Sequence, residues 1–289
     1  MGGANNSNFR DSGEDQLYIM EMFWNVLWTV LAWVKTLLLR TPSMNRSFII
    51  LSSGRSGSTM LVQLLNCHPA ILCHSELLNR DDLKWYGLIR EGRLCVSSHR
   101  LIKYTMAQLV PWKPWLPYTG FKLFNEQIKF CRLSLTNLLN ALHNPPVIVL
   151  YRENLLETYT SLEIAFQTGK WYSETKMNQV SIEIDWEKFQ EYAITERERW
   201  RNSMQVLSTH QKVVFISYSE LTDRTEETMR KIFTFLNVDS SVETFAVSVK
   251  QNPLPLDKKI SNYQEIMSKL ESSDVSLVLS SDWLQEYMQ

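Results

Sequence analysis

An α/β fold, with a parallel sheet sandwiched between helices as three layers, is predicted for this chain by three observations. Short β-branched or apolar runs alternate with longer stretches whose apolar residues recur at helical spacing. The short runs are hydrophobic throughout rather than alternating, as strands buried on both faces must be. A turn rich in Gly and Ser separates the first such run from the first such helix. In order, residues 48–53 (FIILSS) read as a buried strand, 54–57 as the turn and 58–66 (STMLVQLLN) as the opening of a helix. Further strands are expected at 120–124, 147–152 and 212–217. Trp186, Phe189, Ala193, Trp200, Met204 and Leu207 recur at helical spacing and read as the core face of one long helix. Asp223, with Glu226 three residues on, reads as the N-cap of a helix running through Met229, Ile232, Phe233 and Leu236.

The bulk properties bound the function. A chain of 289 residues that is 44% hydrophobic can build one large domain, expected over 46–289. Thirty Lys and Arg against 31 Asp and Glu leave a net charge of −1, so no basic field exists to recruit nucleic acid. Cys67, Cys73, Cys95 and Cys131 show no CxxC spacing and no neighbouring His pattern, so they read as buried small hydrophobes rather than zinc ligands, with disulfide formation left open. Residues 1–16 are too polar to bury much surface, and a flexible tail is expected there. Residues 17–40 read as a hydrophobic helix long enough to cross a bilayer. Its polar positions Glu21, Asn25, Thr29 and Thr36 share a face, which equally suits an interfacial helix or one packed on the domain. Asp11, Glu14 and Asp15 ahead of the run disfavour a cleaved signal peptide, and Lys35, Arg40 and Arg46 after it disfavour a lumenal catalytic domain. Membrane association is therefore expected, in the Golgi if the source is eukaryotic, with a cytoplasmic location as the alternative.

The chemistry concentrates in Ser52-Ser53-Gly54-Arg55-Ser56-Gly57-Ser58-Thr59. Between a strand and a helix, such a turn presents unpaired helix N–H groups and the positive end of the helix dipole to an anion. Gly54 and Gly57 let the backbone approach phosphate oxygens, while Arg55, Ser56, Ser58 and Thr59 add charge and hydroxyl donors. The expected sheet is thus P-loop-like, yet it is no Walker A loop. Ser52 holds the position of that motif's first glycine and Ser58 that of its lysine, so the usual magnesium-triphosphate machinery is not specified. A second candidate is Arg152 at the end of a hydrophobic strand, able to grip a phosphate through two donors or to pair with Glu153 or Glu157.

GRSGST and the segment after it, MLVQLLNCHPAILCHSELLN (60–79), resemble the 5′-phosphosulfate loop of sulfotransferases, in particular the nodulation-factor and trehalose sulfotransferase group. Lys is usual in the cytosolic hormone enzymes where Arg55 stands, and Pro is common in relatives at Gly54. Tyr151-Arg152-Glu153-Asn154 and TSLEIAFQTGKW (160–171) resemble the family's 3′-phosphate element. The nodulation-factor group aligns its serine with Ser161, whereas the spacing of cytosolic relatives selects Thr160. GFKL (120–123), YSEL (218–221) and the stretch from Lys250 to Tyr263 resemble a strand carrying a Lys near the cleft, a YEDL element and a loop closing over the nucleotide. The resemblance implies 3′-phosphoadenosine-5′-phosphosulfate (PAPS) as co-substrate, no metal, and a hydroxyl of a carbohydrate or similar small molecule as acceptor. Cofactor contacts would come from Gly54, Arg55, Ser56, Gly57, Ser58, Thr59, Arg152, Thr160 or Ser161, and Lys250.

Transfer needs a group to stabilise the leaving phosphate and a base for the acceptor hydroxyl. Arg55 suits the first role. For the second, the resemblance points to Glu76, and His74 is the alternative, with an ordinary pKa suited to proton transfer. Trp85, Tyr86, Trp112, Trp115 and Tyr118 would either stack on an acceptor or form the core of a lid. The rival classes are a small-molecule kinase, disfavoured by the missing Walker lysine, and a membrane-tethered binding protein that holds the nucleotide without turnover.

Overall fold

The first strand, β1 (Ser47–Ser52), is buried along its whole length, and its side chains divide between two cores. Phe48 and Ile50 enter one, Ile49 and Leu51 the other, as the two-residue period of a strand requires. The computed structural model describes residues 47–91, 93–109, 118–171, 180–245, 254–273 and 284. The expected hydrophobic helix at 17–40, the tail before it, Trp112, Trp115 and Lys250 lie outside the described residues. Among the described residues, no helix is long and apolar enough to cross a membrane.

After β1 come α1 (Ser58–Asn66) and β2 (Ile71–Glu76). The sequence did not announce β2, because only its first half is apolar. There follow α2 (Arg80–Trp85), a short antiparallel pair β3 (Ile89–Arg90) and β4 (Arg93–Leu94), and α3 (Ser98–Leu109). The chain continues through β5 (Tyr118–Phe124), α4 (Asn125–Phe130), α5 (Leu135–Ala141), β6 (Val147–Tyr151), α6 (Leu155–Thr168), α7 (Trp186–Leu207) and β7 (Val213–Ser217). It ends, among the described elements, with α8 (Tyr218–Asp223), α9 (Thr225–Phe235), α10 (Leu256–Lys259) and α11 (Tyr263–Glu271).

The main sheet has five strands in the order β2-β5-β1-β6-β7, every pair parallel. Leu61, Leu64 and Leu65 of α1 and Met229, Ile232 and Phe233 of α9 cover one face. Leu155 and Leu156 of α6 and Phe189, Ala193, Trp200, Met204 and Leu207 of α7 cover the other. Each fully buried aliphatic or aromatic side chain contributes about 1.5–3 kcal/mol, so the two cores lock the sheet between its helices. Gly120 lies opposite Phe48, and a Cβ there would sit 2.3 Å from the Phe48 ring, so glycine is required for β1 and β5 to pair with that ring between them.

This topology creates a crevice. The chain leaves β1 toward β2 on one side of the sheet and leaves β6 toward β7 on the other, so the loops diverge above the carboxyl ends of two adjacent strands. Two sequence expectations need correction. Asp223 is the last residue of α8 rather than an N-cap: Arg224 is shared between α8 and α9, and the capping box belongs to Ser217 and Glu220 at the start of α8. Of the four cysteines, all free, Cys73 and Cys131 are buried, but Cys67 is half-buried and Cys95 is exposed.

Candidate active site

The turn after β1 has a geometry that can hold an anion. Arg55 (φ 66°) and Gly57 (φ 86°) both occupy the left-handed region. Ser56 Oγ closes the turn by donating to the Ser53 carbonyl at 2.8 Å. Gly57 caps α1 with no side-chain hydrogen bond, which leaves the first N–H groups of the helix to a ligand. Glycine is needed at 57 on two counts, since a Cβ would be strained by the positive φ and would lie 2.9 Å from the Tyr218 ring. At Gly54 a Cβ would have room, its nearest neighbour being Glu126 at 3.8 Å. Ser58 is buried at the first position of α1 and Thr59 is exposed beside it.

The second sequence element meets the first. Arg152 is 8% exposed at the end of β6 and donates from Nη1 to the carbonyl of Arg55 at 3.2 Å. Its Nη2 pairs with Glu157 at 2.7 Å, its guanidinium lies 4.4 Å from the centre of the Tyr218 ring, and its Nε has no hydrogen-bond partner among the described residues. Arg55 in turn donates from Nε to Ser161 Oγ at 3.0 Å and from Nη1 to the Trp171 carbonyl. Of the two hydroxyls left open by the sequence, Ser161 therefore stands beside Arg55. Thr160 is fully buried and donates to the Leu156 carbonyl of its own helix at 2.7 Å. Burial first, and then the neighbouring Arg152, push the pKa of Arg55 below the ordinary arginine value. Two guanidinium groups held this close repel each other, and an anion between them relieves that repulsion.

Behind the turn lie two acidic groups that no motif marked. Gly54 N–H donates to Glu126 Oε1 at 3.4 Å, and Ser53 Oγ donates to Glu196, whose other oxygen accepts from Arg199 at 3.1 Å. Burial, reinforced by the charge of Glu196, raises the Glu126 carboxyl to about 7.

A third cluster forms at the ends of β2 and β5. Lys122, only 3% exposed, pairs with Glu76 Oε1 at 3.0 Å, and Gln127 of α4 donates from Nε2 to Glu76 Oε2 at 2.9 Å. The pairing of β2 with β5 skips Ser75: His74 stands opposite Phe121, and Glu76 opposite Lys122. Without that irregularity Ser75 would face Lys122, and Glu76 would turn to the face of Phe121 and Leu123, which belong to the larger apolar core. One extra residue thus re-aims the carboxylate. The same register turns His74, the alternative base, to the opposite face from Lys122 and Glu76. Gln127 carries no sequence signal, because its role arises only where α4 meets β2. Tyr86 packs on Tyr104 with ring centres 5.2 Å apart, so this aromatic of the 83–117 stretch is part of a local core. Beyond the crevice, segments 180–184 and 259–262 clasp each other through Ile182 N–H to the Lys259 carbonyl (2.8 Å) and Ile184 N–H to Asn262 Oδ1 (3.0 Å).

Comparison with known proteins identifies the family. The family model described as the sulfotransferase family matches residues 47–242, a span holding every described residue of the three clusters. Nodulation protein H of Rhizobium tropici is 27% identical over 222 residues, covering 76% of this chain and 87% of that protein. Nodulation protein H of Rhizobium meliloti is 32% identical over 127 residues, 44% of this chain and 50% of the relative. A solved sulfotransferase from Alicyclobacillus acidocaldarius shares the fold with a TM-score of 0.51 at 13% identity, over 84% of this chain and 95% of its own. The match runs from the first strand through the anion turn, the Arg152 corner and the Glu76 cluster, and the chain belongs to the sulfotransferase family.

Proposed function

We propose that this enzyme transfers the sulfuryl group from PAPS to a hydroxyl of a carbohydrate or similar small acceptor. The observation that carries the donor assignment is the meeting of Arg55 and Arg152, 97 positions apart in sequence, above adjacent strands. In this reading the 54–59 turn and the start of α1 hold the 5′-phosphosulfate, and Arg152 with Ser161 holds the 3′-phosphate. Lys250 is a further candidate contact from the resemblance. The donor's two anionic ends match the two cationic groups, Arg55 and Arg152, the second of which already pairs with the carboxylate of Glu157.

The proposed reaction needs no metal. Glu76 accepts the proton of the acceptor hydroxyl as its oxygen bonds to sulfur and the bond from sulfur to the phosphate oxygen breaks. Arg55 and the turn N–H groups stabilise the negative charge that passes to the departing phosphate, and Lys122 adds a nearby cation. The carbohydrate acceptor is supported by the likeness of segments 54–79 and 160–171 to nodulation-factor and trehalose enzymes.

The test is incubation with 35S-labelled PAPS and a panel of methyl glycosides, lipids and phenols, with a parallel arm using labelled ATP. Label should appear on a glycoside only with PAPS, and phosphate transfer from ATP in its place would overturn the reading. Arg55→Ala and Arg152→Ala should each weaken calorimetric binding of adenosine 3′,5′-bisphosphate (PAP) by roughly tenfold or more, the effect of losing a charged hydrogen-bonding group. Unchanged affinity in both variants would remove the donor site from this corner.

A further inference from the structure

Both oxygens of Glu76 are held, and both holders come from one corner of the fold, the end of β5 and the first turn of α4. They do different work. Lys122 is a point charge on a flexible stem, so it supplies attraction without fixing the carboxylate plane. Gln127 is a planar amide, 8% exposed, whose two ends are both engaged. Its Oε1 accepts the Phe124 N–H at 3.0 Å, and its Nε2 donates to Glu76 Oε2 at 2.9 Å. The first bond fixes the second, because a flipped amide would set its NH2 against the Phe124 N–H and its oxygen against the carboxylate. A glutamine at this helix position ordinarily serves only the local backbone. Here its free end reaches 51 residues back to the only carboxylate that the β2 register turns toward Lys122.

We propose that Gln127 is a positioning residue for sulfuryl transfer, fixing the plane of the Glu76 carboxylate so that it meets the acceptor hydroxyl in line with the donor sulfur. The proposal rests on the reading of Glu76 as the base. Among the described residues, Lys122 from β5 and Asp82 from α2 are charged groups that act on Glu76. Both remain when Gln127 is changed, so the effect of the amide can be isolated.

The test compares the full chain carrying Gln127→Met, Gln127→Glu or Glu76→Gln with the unaltered protein. Three quantities are measured: PAP affinity by calorimetry, kcat and KM for transfer from labelled PAPS to methyl glycosides, and the 13C titration of side-chain carboxylates, with the Glu76 signal assigned by its loss in Glu76→Gln. Gln127→Met should keep PAP affinity within about twofold and KM nearly unchanged while kcat falls about tenfold to a hundredfold, the scale expected of a displaced reacting group. Its Glu76 signal should titrate at higher pH, because the ionised form has lost a donor. Gln127→Glu, which sets a like charge in the same place, should move that signal further in the same direction. If Glu76→Gln is inactive while both Gln127 variants retain full kcat and an unmoved Glu76 signal, the positioning role is overturned and the base assignment stands. Full activity of Glu76→Gln overturns the base assignment and the proposal with it. Loss of PAP binding in both Gln127 variants marks the residue as structural and likewise overturns the proposal.

Discussion

Glu126 shows how a single carboxyl ties the turn after β1 to pH. Its burial, and then the charge of Glu196, raise it to about 7 from its ordinary 4.5, while the Gly54 N–H donates to it from the turn. Between those two values the folded chain holds a proton that the unfolded chain has released. The stabilisation from a neutral Glu126 is therefore complete below about pH 4.5 and is lost as pH rises through about 7. Urea melts at pH 5 and pH 8 should show the unaltered protein losing stability relative to Glu126→Gln, by at most about 3 kcal/mol given about 1.4 kcal/mol per pH unit of displacement. A difference that is flat with pH would show that Glu126 is ionised throughout. None of this was legible in the sequence, where Glu126 is an ordinary carboxylate in the first turn of a short helix. Its character comes from α7, which brings Glu196 and Arg199 up behind the turn.

Among the elements, local patterns are legible in the sequence and their pairing less so. The strand, turn and helix at 47–66 were legible because apolar continuity, glycine and helical spacing are all local signals. The capping pattern at Asp223 lies one helix later than the capping box that forms. Asp223 with Glu226 and Ser217 with Glu220 have the same spacing, and only the place where β7 ends decides which pair caps a helix. Ser217 Oγ accepts the Glu220 N–H at 3.1 Å while Glu220 accepts the Ser217 N–H at 2.8 Å. Ser217→Ala should cost about 1 kcal/mol, and so lower the melting temperature by about 2–4 °C in a domain of this size, measured by thermal denaturation. Because α8 begins with the Tyr218 that packs on Arg152, PAP affinity should weaken in the same variant. The irregularity at Ser75 was invisible for a different reason: a change of register is a relation between two strands, and nothing within 71–76 records it.

For the molecule as a whole, diverging loops, like-charged guanidinium groups and an uncapped helix start all converge on the crevice above β1 and β6. A ligand that bridges the two arginines binds only the folded chain and must stabilise it by mass action. PAP at a hundredfold excess over its dissociation constant should add about 2.7 kcal/mol, a rise in melting temperature of about 5–10 °C. Arg152→Ala should show little of that rise at the same PAP concentration. A full rise in that variant would place the bisphosphate elsewhere.

By itself the sequence determined the fold class, the anion-binding turn and the candidacy of Arg55, Arg152 and Glu76, because each is written in a contiguous stretch through hydrophobic period, glycine placement or motif. Only the tertiary structure decided that Ser161 rather than Thr160 stands beside Arg55, that Glu76 and His74 leave β2 on opposite faces, and that Gln127, Glu126 and Glu196 contact the candidate site at all. The reason is physical. A residue's helical or strand tendency is settled by near neighbours, whereas the direction of a side chain and the charge it meets depend on strand register and on which helices pack behind it, and those relations join residues 50 to 150 positions apart.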